Sequence, residues 1–133
     1  MKEYSIFDKE FLNSSLYQEF KKINAGYGNL KIRAYAAREA LPLEGVHIII
    51  STVYQNSKIV FFDGYTDASG MIEKLELPAP LVKNDNLVVP LSISYEIRAE
   101  DVNNSINQLL SVNLYDGVCV VQNIHFIPES GVE

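Results

Sequence analysis

The chain has one cysteine, Cys119, so no intrachain disulfide can staple it. It has no tryptophan and only two threonines. Glycine and proline number seven and five of 133 residues, which excludes collagen-like and low-complexity chains. No apolar run approaches the ~20 residues of a membrane-spanning helix. The longest aliphatic stretch, Val46 to Ile50, is interrupted by His47. Lys2 is followed by Glu3, Asp8 and Glu10 without an apolar segment, so no secretory signal is expected. A cytoplasmic location is therefore expected, with association to a spore or cell wall left open. Bases are outnumbered, 11 against 17 acids, for a net charge of −6. That balance argues against a nucleic-acid backbone or an anionic membrane as partner.

What is present is globular in composition: 47% hydrophobic and 21% charged residues. Thirteen isoleucines and twelve valines give a β-branched excess that suits buried strands. One domain of this length buries roughly two-thirds of its unfolded surface and needs no metal to hold a core.

Period divides the chain. Leu12, Leu16, Phe20 and Ile23 recur at spacings of four, four and three, one face of a helix within 9–24. Ser15 and Gln18 have the spacing of a capping box, Lys21 and Lys22 suit the last turn, and Gly26 and Gly28 end the helix. The expected cover for that face is the rest of the domain. The alternative is a partner protein or a second copy in a homodimer.

From Asn29 the period becomes two. Leu30, Ile32 and Ala34 form an inward row, with Lys31 and Arg33 outward. Val46, Ile48 and Ile50 make a second strand, closed by the turn Gln55-Asn56-Ser57. Lys58 to Tyr65 is a third, with apolar residues on both faces, and Met71 to Leu77 a fourth. Pro78-Ala79-Pro80 is expected to end the ladder, and residues 81–89 to form a loop or edge. Leu91, Ile93, Tyr95 and Ile97 alternate with Ser92, Ser94, Glu96 and Arg98, a half-exposed strand. Asp101 to Asn104 turns. Leu110, Val112 and Leu114 lead into Asp116-Gly117, a hairpin signal. Val118 to Ile127 closes the set, with a bulge expected near Gln122 and Pro128 as its end. Seven short strands with no helix between them predict an all-β, seven-stranded antiparallel Greek-key sandwich behind one N-terminal helix.

Several segments together carry a resemblance. Gly28-Asn29-Leu30-Lys31-Ile32 opens a strand. Pro42-Leu43-Glu44-Gly45-Val46 is a corner, and Thr66-Asp67-Ala68-Ser69-Gly70 a turn. Leu75-Glu76-Leu77-Pro78-Ala79-Pro80, Tyr95-Glu96-Ile97 and Leu114-Tyr115-Asp116-Gly117-Val118 come next, with Gln122 and Ile127-Pro128 at the close. In order and spacing this resembles the carboxypeptidase regulatory-like domain, a transthyretin-like (prealbumin-like) β-sandwich. The likeness is greatest to the type found in Firmicutes, including the N-terminal pro-region of clostridial spore-cortex-lytic enzymes. It covers residues 28–128, leaving 1–27 as a helical extension and 129–133 as a tail. The resemblance implies an accessory or protein-interaction module, without enzymatic activity or cofactor, linked to sporulation or cell-wall hydrolases. A carbohydrate- or peptidoglycan-binding module is the alternative. Where the family often has a Gly-aromatic pair, this chain has Glu100-Asp101-Val102-Asn103-Asn104.

Candidate sites are few. His47 and His125 lie in strands and show no zinc-ligand spacing, so no metal is expected. Cys119, among Val118, Val120 and Val121, is expected to be a buried, inert thiol. No Gly-x-Ser-x-Gly, His-Glu-x-x-His or Walker loop occurs. The Tyr-Arg-Gly-Ser ending of transthyretin-like hydroxyisourate hydrolases is missing. Tyr54, Phe61, Tyr65 and Tyr95 are candidates for an aromatic platform that stacks on a glycan, against the plainer expectation of core packing. The partner is thus expected to be a protein or a glycan.

Overall fold

A computed structural model describes residues 1–36, 41–81, 91–101 and 106–126. The expected loop at 81–89 beyond Leu81, the turn residues 102–104, Ile127-Pro128 and the tail 129–133 lie outside the described residues. The described chain forms nine strands and two helices. None of its helices is long and apolar enough to cross a membrane.

The N-terminal segment is built into the sandwich. β1 (Lys2–Ser5) runs parallel to β5 (Ser57–Tyr65), with Tyr4 opposite Ile59. The expected single helix is two. Asp8 caps α1 (Lys9–Leu12), its Oδ1 accepting the Glu10 amide at 3.0 Å. Ser14, not Ser15, caps α2 (Ser15–Ile23). Its hydroxyl donates to the Phe11 carbonyl at 2.6 Å and accepts the Tyr17 amide at 3.3 Å. One hydroxyl thus closes the first helix and opens the second. The break turns the packed face. Phe11 and Phe20 are buried, Leu12 and Leu16 half-buried, and Ile23 is 58% exposed. The expected stripe therefore loses Ile23 and gains Phe11 and Tyr17. Gly26 and Gly28 do not end the helix, which stops at Asn24. They begin β2 (Gly26–Ala36). A Cβ on Gly26 would lie 2.4 Å from Asp116 Oδ1, and one on Gly28 2.7 Å from the Tyr115 carbonyl.

Two sheets face each other. The five-stranded one runs β1-β5-β4-β7-β8, with β4 (His47–Tyr54), β7 (Ile93–Asp101) and β8 (Ile106–Leu114). The four-stranded one centres on β2. β9 (Cys119–Phe126) lies parallel along one edge of it; β6 (Met71–Ala79) and the short β3 (Leu41–Pro42) are antiparallel to it. The sandwich is therefore mixed, not wholly antiparallel: β1–β5 and β2–β9 are parallel pairs. Asp116-Gly117 does form a turn, with Gly117 at φ +76°, yet it closes no hairpin. The chain crosses to the other sheet, and Asp116 Oδ1 accepts the Tyr27 amide at 3.1 Å. β9 carries no bulge: its register against β2 is unbroken from Asn29–Cys119 to Ala36–Phe126. Val120, Gln122, Ile124 and Phe126 keep one phase, so Cys119 falls on the opposite one and is exposed rather than buried.

The corner and turn signals have direct causes. Thr66 Oγ1 donates to the Leu43 carbonyl at 2.6 Å and accepts the Val46 amide at 3.0 Å, tying the two together. Asp67 Oδ1 accepts the amides of Ser69 and Met71. Gly70 sits at φ +73°, and a Cβ there would be 2.5 Å from the Ala34 carbonyl. Pro78 does not end β6, which continues through Ala79. As β6 pairs only with β2 among the described residues, no described strand needs an amide from Pro78 at its other edge. The core lies between the sheets: Leu30, Ile32, Ile48, Ile50, Ile97, Leu114 and Ile124, with Phe20 of α2 closing one end.

Candidate functional site

Cross-strand register builds a polar surface on the outer face of the five-stranded sheet. β4 and β7 place His47 opposite Glu100, Ile49 opposite Arg98 and Ser51 opposite Glu96. β5 brings Tyr65 opposite His47, Asp63 opposite Ile49 and Lys58 opposite Val53. Lys58 and Asp63 share this face despite their odd separation because the register shifts opposite Ile50 and Ser51. Phe61 is the extra residue there, and its ring turns into the core. That bulge also explains why β5 is apolar on both faces.

Two features lie side by side. The first is a histidine held by carboxylates. His47 Nε2 is 2.6 Å from Asp63 Oδ1, and Nδ1 is 3.6 Å from Glu100 Oε1. The Tyr65 ring stacks on the imidazole, with centroids 4.8 Å apart. Arg98 Nη1 lies 4.0 Å from Glu100 Oε2. These are partly exposed pairs, each worth ~0–1 kcal/mol, so they fix orientation more than they stabilise. The second is an open groove of about 680 Å³. Ser51, Ser94 and Ser111 lie along it, Val53, Leu109 and Met1 are exposed beside it, and Lys58, Glu96 and Arg98 charge it. Ser94 Oγ and Ser111 Oγ are 3.0 Å apart, and Lys58 Nζ is 3.9 Å from Glu96 Oε1. Arg98 belongs to both features. Chemically the face offers hydroxyls, paired charges of both signs and three exposed apolar side chains. Neither nitrogen of His47 bonds a hydroxyl or thiol among the described residues.

The aromatic candidates do not assemble into a platform. Tyr95 is fully buried and Phe61 is 5% exposed, their rings edge to face at 5.5 Å. Tyr54 is half-buried against Phe20 at 5.5 Å. Only Tyr65, 64% exposed, shows a ring to solvent. The other three belong to an internal chain of rings that continues through Phe20, Tyr17 and Phe11 to Tyr4. Of the helical candidates, Leu12, Leu16 and Phe20 pack toward this chain of rings and Ile23 does not. His47 and His125 face outward from different sheets and cannot share a ligand. His125 instead bonds Tyr35 through Nε2. Sequence reasoning misses the serine-lined groove. Its signal is the outward row Ser94, Glu96, Arg98 of β7, which alternation marks only as an exposed strand face.

No protein-family model matches the chain, and no curated protein matches it. Among solved structures it is similar to 5-hydroxyisourate hydrolase of Klebsiella pneumoniae, at 14% identity and a TM-score of 0.49, covering 76% of this chain and 85% of that one. It is also similar to the dioxygenase domain of a dioxygenase–carbohydrate-binding protein fusion from the cellulolytic bacterium Streptomyces sp. SirexAA-E, at 12% identity and a TM-score of 0.47, covering 77% and 80%. The first of these is an enzyme. The expectation that the chain is not an enzyme is corrected by that finding. Neither likeness assigns a residue or a substrate.

Proposed function

We propose that this chain is a transthyretin-like interaction module that docks an extended segment of a partner protein on the outer face of its five-stranded sheet. The observation that carries this reading is the serine-lined groove of about 680 Å³ across that face. Its small side chains let a backbone approach closely. Val53 and Leu109 offer apolar contact for alternate side chains of an extended peptide. Lys58, Glu96 and Arg98 supply charges of both signs for register and partner choice. The resemblance of residues 28–128 to carboxypeptidase regulatory-like domains supports an accessory role, and its Firmicutes type points to partners among sporulation or cell-wall hydrolases.

A glycan is the second reading, and the exposed Tyr65 ring favours it. Selection of random peptides on the intact protein tests the first reading, with Ser111→Arg as the blocked control. Ser111 is exposed, so the substitution fills the groove without touching the core. Enriched peptides that bind the wild type and not Ser111→Arg support docking in the groove. Peptides that ignore the substitution, or a glycan-array signal abolished by Tyr65→Ala, would transfer the function elsewhere.

A further inference from the structure

The opposite face of the sandwich holds a different chemistry. The outward row of β2 is Asn29, Lys31, Arg33 and Tyr35. Its neighbours across β9 are Cys119, Val121, Asn123 and His125, and Met71 of β6 stands opposite Arg33. No carboxylate pairs with Lys31 or Arg33 among the described residues, in a chain where acids exceed bases by 17 to 11. Glu73 and Glu76 of β6 lie toward the Lys31 end of the face, whereas Arg33 stands between Met71 and Asn123, so the positive field is local to Arg33.

Arg33 does not simply extend into water. It borders a pocket of about 300 Å³ formed with Ala34, Tyr35, Pro42, Ser69 and Met71. Its guanidinium carbon lies 5.8 Å from the centre of the Tyr35 ring. Tyr35 is in turn held from the far side: its hydroxyl bonds His125 Nε2, and the two rings lie 4.4 Å apart. Pro42 and Met71 give the pocket apolar walls. Gly70 and Asp67 fix the floor, since Asp67 Oδ1 is already engaged by the amides of Ser69 and Met71.

We propose that this pocket is a carboxylate site, taking one carboxylate on a short apolar body with the Arg33 guanidinium as its fork. The guanidinium matches a carboxylate with two parallel hydrogen bonds, and no side chain among the described residues competes for it. The walls suit a small aliphatic or aromatic group, and the volume is at the lower end of the ~300–1,000 Å³ range of ligand pockets. A dianion fits less well, because one cation faces it and the Asp67 carboxylate belongs to the adjoining turn. The same chemistry has two sources: a free small carboxylic acid, or the C-terminal carboxylate of a peptide with an apolar last residue.

Amide NMR titration of the full chain separates the outcomes. The probes are benzoate, its neutral analogue benzamide, and N-acetyl-leucine with its amide. Saturable shifts are expected at Tyr35, Ser69 and Met71 with the acids and not with the amides. Arg33→Gln should weaken the acids about tenfold or more, and Arg33→Lys, which keeps the charge and loses the fork, by less. Arg33 is exposed, so an unchanged thermal melt of both variants shows that folding is not the cause. Tighter binding of N-acetyl-leucine than of benzoate assigns the peptide source, and the reverse order the free acid. Equal response to acid and amide, shifts outside the pocket, or wild-type affinity in Arg33→Gln overturns the proposal. Because the groove lies on the other sheet, Ser111→Arg should leave these titrations unchanged.

Discussion

Replacing Tyr95 by phenylalanine removes one oxygen from the centre of the sandwich. That oxygen is the only part of the side chain with a polar partner: it donates to the Pro78 carbonyl at 2.6 Å, across from the five-stranded sheet to β6. Both residues are buried. The ring itself stays, packed edge to face on Phe61 at 5.5 Å, so no cavity larger than the lost hydroxyl opens. The loss is therefore a buried hydrogen bond with a stranded carbonyl, about 1–3 kcal/mol. In a chain of this size that lowers Tm by roughly 3–5 °C per kcal/mol. The same burial gives a second signature. Burial, then the phenolate charges of Tyr17 and Tyr27, raise the Tyr95 pKa above its ordinary 10.0. The unfolded chain therefore releases this proton near pH 10 while the folded chain still holds it. The resulting stability is complete below about pH 10 and falls as pH rises, by up to ~1.4 kcal/mol per pH unit. Tyr17, raised mainly by burial and then by Tyr27, adds to the fall. Urea melts of both proteins between about pH 7 and pH 11 check this: the difference should be ~1–3 kcal/mol at neutral pH and shrink above about pH 10. A difference below about 0.5 kcal/mol at neutral pH, or parallel alkaline curves, would refute the reasoning.

Phe20→Ala should cost about 3–5 kcal/mol in urea melts followed by circular dichroism, since the ring is 1% exposed and touches Tyr54 and Phe61; a loss under about 1 kcal/mol would detach α2 from the sandwich. Ile97→Ala should cost about 2–5 kcal/mol and the neighbouring-phase Ser94→Ala under about 0.5, because Ile97 is fully buried and Ser94 is exposed; equal losses would invert the phase of β7. Gly70→Ala should cost about 2 kcal/mol or more, from its positive φ together with a contact of 2.5 Å to the Ala34 carbonyl, and a neutral result by the same melts would mean that the turn opens.

Phase was legible in the sequence and direction was not. The alternation in β2 and β7 places Leu30, Ile32, Tyr95 and Ile97 inward as it predicts, because period two depends on the pleat of one strand alone. Whether a neighbour runs parallel or antiparallel depends on where the chain returns, which alternation does not encode. β9 is the clear case. Asp116-Gly117 carries the residues of a tight turn, and the turn forms. Beyond that turn the chain passes close to Gly26 and Gly28, whose missing side chains let the Asp116 carboxylate and the Tyr115 backbone lie against β2 as β9 joins the other sheet. β1 was invisible for a related reason. Lys2–Ser5 holds two charges and one aromatic, with no alternation to detect, and it is recruited by the free edge of β5.

The candidate site was less legible than the fold because its parts are distant in sequence and ordinary one by one. His47, Asp63 and Glu100 come from three strands, and only register brings them within 2.6 and 3.6 Å. A bulge of one residue at Phe61 decides the matter. In an unbroken register of the same residues, Lys58 and Asp63 could not share a face, and Asp63 would point inward opposite Ile48 instead of bonding His47. The same bulge turns Phe61 toward Tyr95 and Phe20, so one local irregularity joins the helices to the core and sets the charge pattern of the outer face. Deleting Phe61 should therefore split the two effects: Lys58 stays opposite Val53 and Asp63 opposite Ile49, so the outer face keeps its charge pattern, while the helices lose the ring that Phe20 packs on.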